Sequence, residues 1–293
     1  VSDTAEGLRR KLTSAGELQS VVRTMKALAA SNVGQYEKSV RALADYYRTI
    51  ELGLSVCLHR REPAGANVVQ AAPNRQAVTT AIVFGSDQGL VGQFNDLMAD
   101  YAIKSLSALS GEPQVWAVGE RVQARLVDAG LAPQGLFAVP NSVEAITPLV
   151  GQIQIQSEAH RSEDDELWVF YNRPLAGALY DPVGQRLLPL DAKWRQGLAD
   201  VSWPTAMLPE VLGDDTATLR SLFREYLFIS LFRACAESLA SENASRLAAM
   251  ERADKNIKDL LEQLEATSRQ LRQSSIDEEL FDVIAGFEAL GGS

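Results

Sequence analysis

The chain has 293 residues, 46% of them hydrophobic, which allows one or two soluble domains with a real core. A formal net charge of −10 excludes general nucleic-acid binding, which needs basic surface to displace counterions. Two cysteines, Cys57 and Cys235, exclude a disulfide framework, and no apolar run is long enough to cross a membrane.

The polar N-terminus lacks the apolar segment of a signal peptide. Asp3 or Thr4 can cap a helix with Glu6 in its first turn. Apolar or small residues then recur at Leu8, Leu12, Ala15, Leu18, Val22, Met25, Ala29, Val33, Tyr36, Val40, Leu43, Tyr47, Ile50, Leu54 and Cys57. Their spacing averages about 3.5, the coiled-coil period. Gly16 and Gly34 lie inside this helix, and the chain should leave it before Pro63. The expected first segment is 1–62, followed by a linker over Ala64 to Asn74 with Gly65 and Pro73.

Residues 75–205 change character. Strands are expected at Val78–Phe84, Val115–Val118, Gly135–Val139 and Leu167–Tyr171, with a fifth at Gln185–Leu190. Helical stretches separate them: Phe94–Leu109, Glu120–Ala129 closed by Gly130, and Val143 to about His160. This alternation implies a mostly parallel, Rossmann-like α/β sheet covered on both faces.

From 214 to 290 the chain returns to one apolar seam without a proline. Leu219, Leu222, Tyr226, Ile229, Ala236, Leu239, Leu247, Met250, Ile257, Leu261, Leu264 and Leu271 mark it. A periodic pattern this long suggests a coiled coil, and Glu251, Arg252, Asp254, Lys255 and Lys258 rule out a membrane span. The two seams bury each other most simply as an antiparallel pair. The second helix is longer, so Ile276, Leu280, Val283, Ile284, Phe287 and Leu290 need cover from another protein, each being worth roughly 1.5–3 kcal/mol when buried. The expected fold is therefore α/β: a long antiparallel coiled coil formed by both chain ends, with a Rossmann-like domain inserted between them.

Chemistry is sparse. Gly85-Ser-Asp-Gln-Gly-Leu-Val-Gly92 follows the first strand but has neither the dinucleotide nor the triphosphate glycine pattern. It reads as a structural turn, with anion binding by its amides as the alternative. His59 and His160 are too few for a histidine metal site. Glu163-Asp-Asp-Glu166 reads as a solvated loop, and the cysteines as small core residues. No nucleophile, base and orienter cluster together, so neither catalytic, cofactor nor metal residues are assigned.

Several motifs resemble one family. Leu8-Arg-Arg-Lys-Leu12 with Val22-Arg-Thr-Met-Lys-Ala-Leu-Ala-Ala-Ser31, the stretch Gly85 to Asn95, Ala240-Ser-Glu-Asn-Ala-Ser-Arg-Leu-Ala-Ala-Met250, and Arg272-Gln-Ser-Ser-Ile276 with Glu279-Leu280 are similar to the gamma subunit of F-type ATP synthases. The resemblance implies a rotating central shaft without a catalytic site of its own. Its partners would be the ring of alpha and beta subunits, the epsilon subunit and the membrane c-ring, at the cytoplasmic face of a bacterial plasma membrane. It also implies ring contacts. Arg9, Arg10, Lys11, Arg23 and Lys26, beside Met25, would meet acidic levers of beta. Arg272 and Gln273 would meet a beta loop, and Ile276, Leu280 and Phe287 would enter an apolar sleeve.

Departures from the family pattern are Gln88 for an arginine, Val91 for a cysteine, Asn32-Val33-Gly34-Gln35 where basic residues usually stand, and Asp277 for a threonine. They suggest a divergent branch, such as the bacterial N-ATPase type. A free-standing coiled-coil scaffold with a ligand-binding α/β domain is the alternative reading. A synthetase-like enzyme with a coiled-coil arm fits less well, because its arm would be inserted and its site residues are missing here.

Overall fold

In the computed structural model the described residues are 4–61, 78–109, 111–158, 165–175, 180–189, 196–198, 201, 203–205, 207 and 209–291, without the side chains of 59–61 and 286–291. The expected linker 64–74, His160, and Glu163 with Asp164 lie outside them, as do the side chains of His59, Phe287 and Leu290. The elements in order are α1 (Ala5–Arg61), β1 (Thr79–Phe84), α2 (Phe94–Ser107), β2 (Gln114–Val118), α3 (Glu120–Asp128), β3 (Gly135–Phe137), α4 (Ile146–Glu158), β4 (Glu166–Pro174), β5 (Tyr180–Leu188) and α5 (Asp215–Gly291). The chain divides into two compact units, residues 30–246 and residues 1–29 with 247–293.

In the larger unit the strands order β3-β2-β1-β4-β5. β1, β2, β3 and β4 pair in parallel, as right-handed strand–helix–strand connections favour. β5 returns antiparallel to β4 at the edge, with Pro182 in it, a position where a missing N–H is tolerated.

Side chains alternate faces along each strand. Ala81, Val83, Val115, Ala117 and Phe170 point to one face, where Met98, Ala99, Ala102 and Leu106 of α2 and Val122 and Leu126 of α3 cover them. Ile82, Phe84, Val118, Leu167, Val169 and Tyr171 point to the other. That second face is covered by Ile146, Val150 and Ile153 of α4 together with Ile50, Leu54 and Cys57 of α1 and Tyr226 to Ala240 of α5. Sheet and long helices thus share one core. Cys57 and Cys235 both lie in it as buried thiols with no disulfide, and burial holds the Cys235 thiol far above its usual pKa.

α5 is buried on almost every side from Ala234 to Ser245. Three of its polar residues there bond to neighbouring elements, while the buried Ser238 hydroxyl has no protein partner. Ser241 Oγ donates to the Asn172 carbonyl at 2.9 Å, Ser245 Oγ donates to the Val91 carbonyl, and Asn32 Nδ2 of α1 donates to Asn243 Oδ1 at 3.2 Å.

In the smaller unit α1 and α5 run antiparallel, with Arg23 opposite Asp254 and Lys26 opposite Glu251. Val22, Met250 and Ile257 form its small core, flanked by Met25, Ala253 and Leu261. The buried positions Leu8, Ala15, Val22 and Ala29 repeat every seven residues, as expected for a coiled coil. One seam residue differs: Leu18 is exposed and Gln19 takes the half-buried place. At 3.6 residues per turn the fourth residue after Ala15 lies nearer its face than the third.

Glycine shows where the packing is tight. A Cβ at Gly85 would sit 2.3 Å from Val122 Cβ, whereas one at Gly151, inside α4, meets nothing within 4 Å. Gly85→Ala should destabilise the fold by about 1–3 kcal/mol and Gly151→Ala should stabilise it by about 0.5–1 kcal/mol, read as opposite shifts of the urea midpoint.

Candidate functional site: interaction surfaces of the helix pair and the sheet

The basic residues expected to face partners are largely paired within the chain. Arg10 pairs with Glu6 one turn earlier, Arg23 Nε lies 3.3 Å from Asp254 Oδ1, and Lys26 Nζ lies 3.5 Å from Glu251 Oε1. Arg9 and Lys11 are exposed, and Met25 is half-buried against the Val22 cluster. These ion pairs are solvent-facing, so each stabilises by well under about 1 kcal/mol and leaves the cations available to compete for other anions.

Beyond Ile257 no described side chain of α5 is buried. Arg272 and Gln273 are exposed, as are Ile276, Leu280, Phe281, Val283 and Ile284, with Phe281 at 69%. Phe287 lies outside the described side chains. Leaving such a group of apolar side chains in water is costly, and a contiguous patch of them marks an interaction surface. α1 carries a second one. Leu18, Val21 and Leu28 are all exposed and fall at helical spacing on one side. Sequence reasoning placed Leu18 in the seam and missed the other two. Their spacing from Leu18, three and ten residues on, was the available signal.

The glycine-rich turn after β1 is braced from within. The Ser86 N–H donates to Asn95 Oδ1 at 2.9 Å, Asn95 Nδ2 donates to Ser86 Oγ at 2.8 Å, and Ser86 Oγ donates to the Gln88 carbonyl at 2.9 Å. The Asp87 carboxylate accepts from the Glu120 N–H, at the start of α3, and from the Val139 N–H, both at 2.9 Å. Asp87 thus serves the N-terminus of α3 and ties the turn to the chain after β3. Asp165 and Glu166 of the acidic run are likewise engaged: Asp165 Oδ1 accepts from the Val78 N–H, and Glu166 accepts from Trp168 Nε1 and pairs with Arg186.

A polar cavity of about 200 Å³ lies at the carboxyl ends of β1 and β3, lined by Asp87, Gln88, Asn141, Tyr36, Glu242 and Arg246 among others. Glu242 Oε1 accepts from Arg246 at 2.7 Å, while Glu242 Oε2 and Arg246 Nε have no protein partner. Burial pushes the Glu242 carboxyl above its usual pKa, Arg246 opposes this, and Asp87 adds to the rise. Burial, with Glu242, also pushes the Tyr36 phenol up to about 12. Among the described residues no three His, Cys, Asp or Glu side chains group as a metal site, and no helix is long and apolar enough to cross a membrane.

A carboxyl raised in the native state holds its proton longer than in the unfolded chain. That contribution to stability is complete below the ordinary carboxylate pKa and is lost as pH rises through the raised value. Glu242→Gln keeps the neutral form at every pH. Its urea midpoint should therefore gain on that of the unaltered protein as pH rises from about 4 to 7.

Comparisons with known proteins cover nearly the whole chain. A family model described as ATP synthase matches residues 4–290. The ATP synthase gamma chain of Dechloromonas aromatica is 26% identical over 97% of this chain and 98% of its own length. That of Syntrophobacter fumaroxidans is 25% identical over 98% and 99%. Among solved structures, the rotor of the Euglena gracilis mitochondrial ATP synthase has a similar fold, with a TM-score of 0.63 at 16% identity over 94% of this chain and 100% of that one.

Proposed function

The chain belongs to the ATP synthase gamma-chain family, and from that premise we propose that it is the central-stalk shaft of an F-type ion-translocating ATP synthase or ATPase. Rotation of the membrane c-ring would be carried by the helix pair into the ring of alpha and beta subunits, with the epsilon subunit beside the foot. The observation that carries this reading is the family match from residue 4 to residue 290.

The local physics is compatible with a shaft. In the smaller unit two antiparallel helices present a different set of side chains in every direction. Three chemically equivalent neighbours around such a pair would each meet a different face, which is what drives three identical sites into different states. The chain itself contributes no catalytic group in this proposal; the ring does the chemistry. Segments 1–62 and 214–290 act as the shaft and 75–205 as the inserted domain. The assembly sits at the cytoplasmic face of a bacterial plasma membrane.

The ring contacts are carried over from the family resemblance, and the exposure of Arg9, Arg10, Lys11 and Arg23 supports them. Arg9, Arg10, Lys11, Arg23 and Lys26 position acidic groups, with charge steering and orienting more than it adds affinity. Met25 packs at the edge of the same contact. Arg272 and Gln273 hydrogen-bond to a loop of the ring, and Ile276, Leu280 and Phe287 are covered by apolar surface above it. The ion pairs to Asp254 and Glu251 support a holding role for Arg23 and Lys26: each cation is presented at a fixed place beside the seam.

Co-expression with alpha and beta subunits from the same source, followed by native mass spectrometry, tests the assignment. The expected product holds three alpha, three beta and one copy of this chain, and hydrolyses ATP. A chain that stays alone or self-associates would favour the scaffold reading. Removing residues 276–293 should lower assembly yield or coupled ATP hydrolysis at least several-fold, and unchanged yield and coupling would sink the proposed role of the tip.

A further inference from the structure

On the larger unit, three arginines from distant parts of the sequence surround one groove. Arg173 ends β4, Arg233 stands on α5, and Arg41 on α1 completes the set. The groove measures about 430 Å³ and also holds Glu37, Val40, Pro174 and Glu237. Glu237 is 4% exposed and organises the cationic pair: its Oε1 accepts from Arg233 Nε at 2.6 Å, and its Oε2 lies 3.4 Å from Arg173 Nε. Tyr171 OH accepts from Arg173 Nη2 at 2.8 Å, fixing the second guanidinium. Glu237 and Tyr171 hold both arginine side chains still, yet those remain 44% and 51% exposed.

We propose that this groove docks a carboxylate-rich segment of a neighbouring polypeptide, its acidic side chains paired with Arg41, Arg173 and Arg233. The proposal rests on the reading of the chain as a subunit of a larger assembly. Three guanidiniums stand against two carboxylates, so the groove carries one uncompensated positive charge on a chain whose total is −10. That excess attracts carboxylates. Val40, Pro174 and Ala240 give the groove an apolar floor, which fits the stem of a glutamate side chain and offers nothing to a free inorganic anion. Guanidiniums already fixed in place lose little freedom on pairing and present their remaining N–H donors in a fork that matches a carboxylate.

The test uses the full chain and a fluorescein-labelled decapeptide of glutamates and leucines, followed by fluorescence anisotropy. Arg173 and Arg233 serve the buried Glu237, so their removal can unfold the unit. Arg41 has no such duty, and Arg41→Glu is the decisive variant. It should weaken the peptide at least tenfold, while Lys104→Glu, a charge reversal on α2, should leave binding unchanged. Equal loss in both variants, or no binding at all, would overturn the groove. So would inorganic phosphate that displaces the peptide at matching concentration with the same dependence on Arg41, because the site would then take small anions. Assembly with alpha and beta subunits is scored separately. If the unaltered chain assembles but does not bind the peptide, the groove fails and the shaft reading stands; if it binds the peptide but does not assemble, the shaft reading fails instead.

Discussion

The middle of α5 is the part on which the larger unit depends. Between Ala234 and Ser245 this helix has almost no solvent face, because the second face of the sheet and the inner side of α1 both close on it. Its apolar residues belong to the same core as Ile82, Val169 and Tyr171. Its serines and asparagines are then obliged to find partners, since an unpaired buried polar group costs about 1–3 kcal/mol. Ser241, Ser245 and Asn243 do so across three different elements: the end of β4 through Asn172, the turn before α2 through Val91, and α1 through Asn32, whereas the Ser238 hydroxyl is left without a protein partner. Apolar contact holds the helix against the sheet, and these hydrogen bonds fix its rotation and register.

Charge is distributed by the same logic. Two glutamates on that buried stretch, Glu237 and Glu242, each carry an arginine four residues away, Arg233 and Arg246. Pairing one turn apart lets a carboxylate be buried without an isolated charge. At Glu237 a second arginine arrives from β4, leaving an excess of positive charge at the surface. At Glu242 no second cation is present among the described residues, burial wins, and the proton is retained to higher pH. Two glutamates on one helix, five residues apart, thus have different cationic neighbours because of a single strand end.

Much of the architecture was legible in the sequence. The 3.5-residue period of α1 marked nearly every inward position from Leu8 to Cys57, since a helix pair buries a stripe and little else. Parallel strands buried on both faces read as apolar runs, so β1 and β4 were plain. β5 was legible only from Gln185 on, because Asp181-Pro182-Val-Gly looks like a turn when its edge position is unknown. Leu18 misled because an apolar residue three positions after Ala15 was preferred to the polar Gln19 four positions on, although the heptad places the latter at the seam. At the candidate surfaces, residue types were readable and pairings were not. Nothing near Arg23 or Lys26 in sequence announces Asp254 and Glu251, and the grouping of Arg41, Arg173 and Arg233 exists only once three segments are folded together.

The shared core has a consequence for how the chain is made. Residues 79–188 hold every described strand, and a ribosome delivers them before α5 exists. Until the stretch around Ala234 to Ala240 emerges, Ile82, Phe84, Val169 and Tyr171 have no complete cover on their second face. The sheet must wait, with one side partly open, for a helix encoded near the other end of the chain. Long-range closure of this kind slows folding and exposes apolar surface to aggregation. A nascent chain arrested before residue 230 should therefore hold chaperones, and release them only when the last helix arrives.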